Sequence, residues 1–286
     1  MKTFHRTSTL ALTASLLALA VSVNAQSDLE HYYQFSTGTA NDQVGTANGT
    51  LQGGASITGG ALVTAGNNGG TSGQWGGTGP MLTLNSSAVS GINGSFTIED
   101  WFTCTTGWPK FDTLYSFSDG TQGNYLLATP VRGGDPWQSS VAMRGAGGTA
   151  TGGWDYFANG IYLDSPGVHQ VVATYDGTTL TYYVDGQLAN YASLPATVTN
   201  PGFNLSTLTD IGINGGSPYG DPALTGSTYS FGIFSGALTA GQVSSLYSLG
   251  SDASAPLIVA AVPEPGSMTL AMFGGASLLL WRRRAN

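Results

Sequence analysis

The sequence predicts an all-β fold, an antiparallel β-sandwich of the jelly-roll kind with one short C-terminal helix. Three observations predict it. Short apolar-polar alternating runs recur along the chain. Turn residues separate them throughout, and 43 of the 286 residues are glycine. No stretch alternates strand with helix in the way a parallel sheet requires. Only 8% of the residues are charged, whereas an ordinary soluble domain carries about 25%, and 41% are hydrophobic. That apolar fraction is enough to bury a core and rules out a disordered chain.

The first element is not part of the fold. Lys2 and Arg6 precede an apolar stretch from Leu10 to Val23, and Val23-Asn24-Ala25 supplies small residues at its exit. This is the pattern of a secretory signal, cut by signal peptidase between Ala25 and Gln26. The expected organisation is a signal peptide over 1–25, one sandwich domain over 26–250, a linker over 251–261 and a sorting segment over 262–286.

Strands are expected at Phe96–Thr103, Thr113–Phe117, Tyr125–Ala128, Val141–Arg144 and Leu208–Ile213. The strongest pair is Val168–Tyr175 with Thr179–Asp185. In the second of these, Leu180, Tyr182 and Val184 share one face, and Asp185-Gly186 forms a hairpin turn. Near the end, Thr239 and Gln242 form a capping-box pattern. Val243, Leu246 and Tyr247 follow at helical spacing and predict a short helix with one apolar side.

The last segment carries an address. Val262-Pro263-Glu264-Pro265 leads into an apolar run from Gly266 to Leu280, then Trp281 and Arg282–Arg284. A membrane span usually takes about 20 residues, so the run is short. A boundary tryptophan followed by arginines is nonetheless what a membrane interface selects, with the arginines on the cytoplasmic side. The sequence thus predicts a transmembrane helix there, holding the chain in the inner membrane before processing.

With both ends removed, the body keeps three basic residues (Lys110, Arg132, Arg144) against fifteen acidic ones, a net charge of −12. A nucleic-acid partner is excluded, because phosphate binding needs a basic surface. Such a surface suits neutral glycans or divalent cations, and acidic polymers only through a bridging cation. One cysteine, Cys104, rules out an internal disulfide framework and a cysteine-rich zinc site.

Two resemblances extend this reading. The tail VPEPGSMTLAMFGGASLLLWRRRAN resembles the PEP-CTERM sorting signal of exported Gram-negative proteins. The resemblance implies processing near Pro263, Glu264 and Pro265 by an exosortase, and a host that makes exopolysaccharide. It places the protein in the cell envelope, on the surface or in the extracellular matrix. The body segments NDQVGTANGTLQGGASI, GSFTIEDWF, HQVVATYDGTTLTYYVDGQLA and TGSTYSFGIFSGALTAGQVSSLYSLG resemble the laminin-G-like branch of the concanavalin A-like lectin/glucanase jelly rolls. That family implies a carbohydrate-binding role and a structural calcium, for which Asp42, Asp210 and Asp221 are the candidates. His169 matches a position the family commonly fills with histidine and is expected to be structural.

The residues themselves point to binding rather than catalysis. Glycoside hydrolysis needs a pair of carboxylates on one surface. Glu99 and Asp100 are adjacent and so face opposite ways, and none of the expected strands offers carboxylates at alternate positions. Asp100 shares its face with Phe96, Ile98 and Phe102, so it is expected at the rim or paired, for instance with Arg144 or a cation. Glu99 and Trp101 share the other face and form a candidate sugar-binding pair: indole stacks on a pyranose ring while the acid accepts from hydroxyls. Trp75, Trp108, Trp137 and Trp154 stand in turn-like contexts and are further candidates. The leading function is a non-catalytic, exopolysaccharide-associated binding module. The alternatives are a glycan-cleaving enzyme on the same sandwich, a hydrolase or a lyase, and a structural envelope protein that binds other proteins.

Overall fold

A computed structural model gives the architecture; it describes residues 27–66, 79–104, 111–132, 138–145, 156–161, 163, 167–189, 197–199 and 203–262. The expected signal peptide, the Ala25/Gln26 cleavage site, Trp75, Trp108, Trp137, Trp154 and the segment from Pro263 onward lie outside the described residues.

The strands in chain order are β1 (Asp28–Gln34), β2 (Thr50–Gln52), β3 (Ser56–Thr58), β4 (Ala61–Ala65), β5 (Met81–Leu84), β6 (Phe96–Cys104), β7 (Tyr115–Ser118) and β8 (Tyr125–Arg132). They continue as β9 (Gln138–Arg144), β10 (Tyr156–Asn159), β11 (His169–Tyr175), β12 (Thr179–Val184), β13 (Gln187–Leu188), β14 (Thr197–Thr199), β15 (Asp210–Ile213) and β16 (Thr225–Ser235). Two helices follow, α1 (Ala240–Leu249) and α2 (Ala255–Ala261).

The strands form two antiparallel sheets. One runs β13-β12-β11-β6-β16-β4-β3, with β1 also on β16 and β14 also on β12. The other runs β10-β9-β8-β7-β15-β5-β2. Alternation sets which side chains meet between them. Phe96, Ile98 and Phe102 of β6, Tyr115 and Phe117 of β7, Leu180, Tyr182 and Val184 of β12, and Phe231 and Ile233 of β16 all enter one core. Phe231 sits at its centre, 5.7 Å from the Tyr115 ring and 6.3 Å from the Phe117 ring.

The β11–β12 hairpin matches its sequence pattern, with Val171 opposite Val184 and Tyr175 opposite Leu180. Beyond β12, Asp185 (φ 49°) and Gly186 (φ 73°) both take the left-handed conformation. A two-residue turn that follows strand twist requires that of both its residues.

A second, smaller core lies on the outer side of the nine-stranded sheet. Val243 and Leu246 of α1 and Ile258 of α2, with Val262 just beyond it, pack on Tyr32, Val172, Tyr183, Phe234 and Leu238. The capping box is formed: the Thr239 hydroxyl accepts from Gln242 N, and the Gln242 side chain accepts from Thr239 N. The segment 251–261, expected as a linker, is folded instead. Its Pro256 falls in the first helical turn, where a missing N–H costs nothing, and burial of Ile258 and Val262 fixes the helix to the body.

Candidate functional site

Strand β6 explains the fate of the first candidate pair. It lies between β11 and β16, with the main core on one side and the helices on the other. Both of its faces are therefore covered, and the expectation that Glu99 and Trp101 open onto a ligand is corrected. Glu99 is 1% exposed and Trp101 5%. The Trp101 indole N–H donates to Glu99 Oε1 at 3.0 Å, and Gln170 Nε2 donates to the same oxygen at 2.6 Å. Tyr247 of α1 stacks on the indole, so the surface a sugar would use is occupied by the protein's own ring. Burial, only partly offset by these two hydrogen bonds, pushes the Glu99 carboxyl up to about 7.

Asp100 corrects a second expectation. It is fully buried in the main core rather than at the rim, and neither carboxyl oxygen has a hydrogen-bond partner. The neighbouring Thr228 hydroxyl donates to Asn214 Oδ1 at 2.7 Å. Burial, reinforced by the Glu99 charge, pushes the Asp100 carboxyl far above the carboxylate range.

The calcium candidates do not assemble. Asp42 accepts from His31 Nδ1 at 2.5 Å and from the backbone N–H groups of Tyr32, Val44 and Ala47 at 3.1–3.2 Å. These four contacts occupy both of its oxygens. Burial opposes ionisation, but the donors outweigh it and hold the carboxyl below its usual value. Asp221 accepts from the Ser217 hydroxyl at 2.6 Å, and Asp210 is exposed at the start of β15. Calcium takes six to eight oxygens, and no cluster of three acidic, histidine or cysteine side chains able to hold a metal occurs among the described residues. His169 is structural in its geometry: its Nδ1 lies 2.9 Å from Asp185 Oδ2, and Asp185 Oδ1 accepts from Gln170 N.

A better candidate is the outer face of the seven-stranded sheet, which sequence reasoning missed. Where β7 turns Tyr115 and Phe117 inward, it turns Ser116 and Ser118 outward. The register then runs straight across the face: Phe157 opposite Ala142, Ala142 opposite Leu127, Leu127 opposite Ser116, Ser116 opposite Gly212 and Gly212 opposite Thr83. In the adjoining row Thr129 faces Ser140. Tyr125 and Tyr219 stand edge to face, centroids 5.4 Å apart, with their hydroxyls 3.1 Å from each other.

The decisive feature is polar. Ser116 Oγ, Ser140 Oγ and Gln138 Oε1 are buried and have no hydrogen-bond partner. Leaving such a group unpaired costs about 1–3 kcal/mol; the three lie on one face, each at most 2% exposed, with Tyr125, Leu127 and Ala142 beside them at most 9% exposed. Two of the body's three cations flank the same strands, with Arg132 3.6 Å over the Phe157 ring and Arg144 5.8 Å from the Tyr125 ring. Trp137 immediately precedes Gln138, and Trp154 belongs to the β9–β10 connection. The available signal was the YSFS and QSSVAMR patterns, in which small polar residues alternate with core residues.

A separate recess of about 510 Å³ opens on the other sheet, lined by Thr174, Thr179, Thr181, Tyr183, Asp176 and Leu238 among others. Its Asp176 carboxylate is engaged within its own turn by Thr178 and Thr179.

Fold and sequence together define the class. A family model described as Concanavalin A-like lectin/glucanases superfamily matches residues 75–244, and the chain belongs to that family. A second model, the PEP-CTERM protein-sorting motif, matches residues 261–284. Similar solved structures include domain 4 of AbnA, a GH43 extracellular arabinanase from Geobacillus stearothermophilus, in complex with arabinotriose. It is 15% identical, covering 78% of this chain and 99% of that one, with a TM-score of 0.51. The binding domain of botulinum neurotoxin serotype G is 14% identical over 78% of this chain and 51% of that one, TM-score 0.54. The serotype D/C binding domain is 15% identical over 79% and 53%, TM-score 0.53. At these identities the likeness is one of fold. No curated protein sequence matches the chain.

Proposed function

We propose that the chain is an exported, glycan-binding module whose saccharide lies on the outer face of the seven-stranded sheet. The observation that carries this is the trio of buried, unpartnered groups, Ser116 Oγ, Ser140 Oγ and Gln138 Oε1. Sugar hydroxyls both donate and accept, so they can complete serine hydroxyls and an amide oxygen; Ser116, Ser140, Gln138, Leu127, Ala142 and Tyr125 are 0–9% exposed, so the saccharide binds there only by displacing what covers the face. Trp137 and Trp154, which adjoin β9 and β10 in sequence, are the further candidates. Binding is favoured over cleavage because the strands of this face contribute one carboxylate, Asp210, whereas glycoside hydrolysis uses two. The arabinotriose held by the similar arabinanase domain supports the same reading.

The proposal extends to the ends of the chain. Residues 1–25 direct export and are removed before Gln26. The sorting motif, with Pro263-Glu264-Pro265 at its head, is processed by an exosortase while residues 266–280 hold the chain in the inner membrane. The mature module then associates with the surface or the exopolysaccharide matrix of a Gram-negative cell.

The test is retention on an array of neutral and acidic glycans. At least one glycan is expected to hold the protein, and Ser116→Ala with Ser140→Ala to weaken that binding about tenfold while Tm stays the same or rises, since both hydroxyls are unpaired without ligand. A blank array, with a protein recovered by pull-down instead, would favour the structural envelope alternative.

A further inference from the structure

Helix α2 is apolar around its whole circumference. Ile258, and Val262 beyond it, turn into the body and are buried, while Leu257 and Val259 are each 53% exposed. Pro256 and Ala260 are exposed beside them. Positions 256, 257, 259 and 260 lie on one side of a helix. A surface helix normally turns charged or polar residues outward, and one that is hydrophobic all round is covered on all sides. On α1, Tyr247 and Leu249 add 40% and 36% exposed apolar side chains.

The covering partner follows from the length of chain beyond α2. Val262 is anchored in the body, and only Pro263, Glu264 and Pro265 separate it from the apolar run that starts at Gly266. Four Cα steps reach at most about 14 Å. The headgroup layer on each side of a bilayer is about 5–8 Å thick. A run held in lipid therefore draws the exposed side of α2 to the membrane surface.

We propose that, in the chain before processing, the face formed by Pro256, Leu257, Val259 and Ala260 beds into the interface of the bilayer that holds residues 266–280. This inference rests on the membrane reading of that run given above. The sandwich then lies with its helical side on the lipid, and the Pro-Glu-Pro sequence is held at the membrane surface. The contact is apolar and not electrostatic, since the body carries a net charge of −12. It forms on zwitterionic lipid and survives salt, unlike the docking of basic amphipathic helices.

The test uses the full chain in phosphatidylcholine vesicles, with Leu257→Cys, Val259→Cys or, as control, Thr121→Cys in the exposed turn of the other sheet. Cys104, the one native thiol, is buried and stays in place. Each site is labelled with a polarity-sensitive fluorophore and quenched by headgroup-labelled lipid. Quenching at 257 and 259 is expected to exceed that at 121 at least threefold, at low and high salt alike. Vesicle flotation with equal quenching at all three sites would overturn the proposal, as would shielding of 257 and 259 from water without lipid quenching, the sign of fold-back or self-association. A chain that does not float removes the membrane reading and the inference with it, so flotation tells the two failures apart.

Discussion

The Trp101 indole and the Tyr247 ring lie face to face, centroids 5.5 Å apart and planes within 4° of parallel. Tyr247 comes from α1 and Trp101 from the middle of the central strand β6, so this stack ties the helical cap to the sheet. Beneath it lies a carboxyl group, Glu99, with no route to water.

That burial has a consequence for stability against pH. Burial raises the pKa of Glu99 from the ordinary value of 4.5 to about 7 in the folded chain. The folded state binds the proton more tightly than the unfolded state. Below pH 4.5 both states are protonated and nothing is lost. Between pH 4.5 and 7 the penalty grows, and above 7 it is complete, at about 3 kcal/mol. Asp112, raised by burial to about 6, adds to the same trend. Glu99→Gln is expected to match the parent at pH 4 and to exceed its stability at pH 8 by about 2–3 kcal/mol, read from urea unfolding at the two values. Equal stability at pH 8 would show that Glu99 reaches water.

How far the sequence foretold this can be judged from β6 itself. Alternation placed Asp100 with Phe96, Ile98 and Phe102, and Glu99 with Trp101, and the structure agrees with both assignments. What alternation cannot say is whether a face is roofed. The roof here is α1 with α2, and α2 is built from a Ser/Ala/Pro-rich stretch whose local preferences resemble a linker; tertiary burial of Ile258 and Val262 decides its state. The outer face of the seven-stranded sheet was illegible for a related reason. Ser116, Ser140 and Gln138 are ordinary surface types, and only the folded structure shows them together on one face, buried without partners. The Asp185-Gly186 turn and the Thr239 cap were legible because their chemistry is local.

Asp100 invites a substitution in the opposite sense from most core changes. Its carboxyl is buried on the core face of β6 that also carries Phe96, Ile98 and Phe102, with neither oxygen hydrogen-bonded and with Tyr115, Tyr182 and Thr228 as its polar neighbours. Replacing an unsatisfied buried polar group with an apolar one of similar size removes a cost of about 1–3 kcal/mol. Asp100→Leu is therefore expected to raise Tm, measured by calorimetry. A fall of several degrees would mean that Asp100 has a bound water or ion on which the core depends.

Asp42 behaves in the reverse way. Burial opposes ionisation, but its carboxylate is held by His31 and three backbone donors, which lower its pKa from the ordinary 3.8. The stabilisation is complete above the unfolded value and is lost as pH falls through the folded one. Asp42→Ala leaves those donors unpaired and is expected to cost about 2–4 kcal/mol at pH 7, with rapid amide exchange at Val44 and Ala47. The same variant should show a shallower loss of stability than the parent as pH drops below 4. Calcium should leave both Tm values unchanged, because no lone pair on Asp42 is left for it.

The last relationship links the β12–β13 turn to the helical cap. Gly186 has φ 73°, and a Cβ there would stand 2.7 Å from Tyr247 Cβ and 2.9 Å from its Cγ. Gly186→Ala thus incurs two costs, a left-handed backbone of about 1–2 kcal/mol and a clash that displaces Tyr247 from Trp101. Tyr247→Ala by itself forfeits the stack, about 0.5–1.5 kcal/mol beyond the buried area. Part of the clash is with the tyrosine ring (Cγ at 2.9 Å) and part with Cβ, which Tyr247→Ala retains, so the two changes add only in part. The double variant is expected to be more stable than the sum of the single losses predicts by about 1 kcal/mol or more, within the range seen for residues in contact. Urea unfolding of the four proteins supplies the cycle. Strict additivity would mean that the tyrosine ring takes no part in the clash, which then rests on Tyr247 Cβ alone.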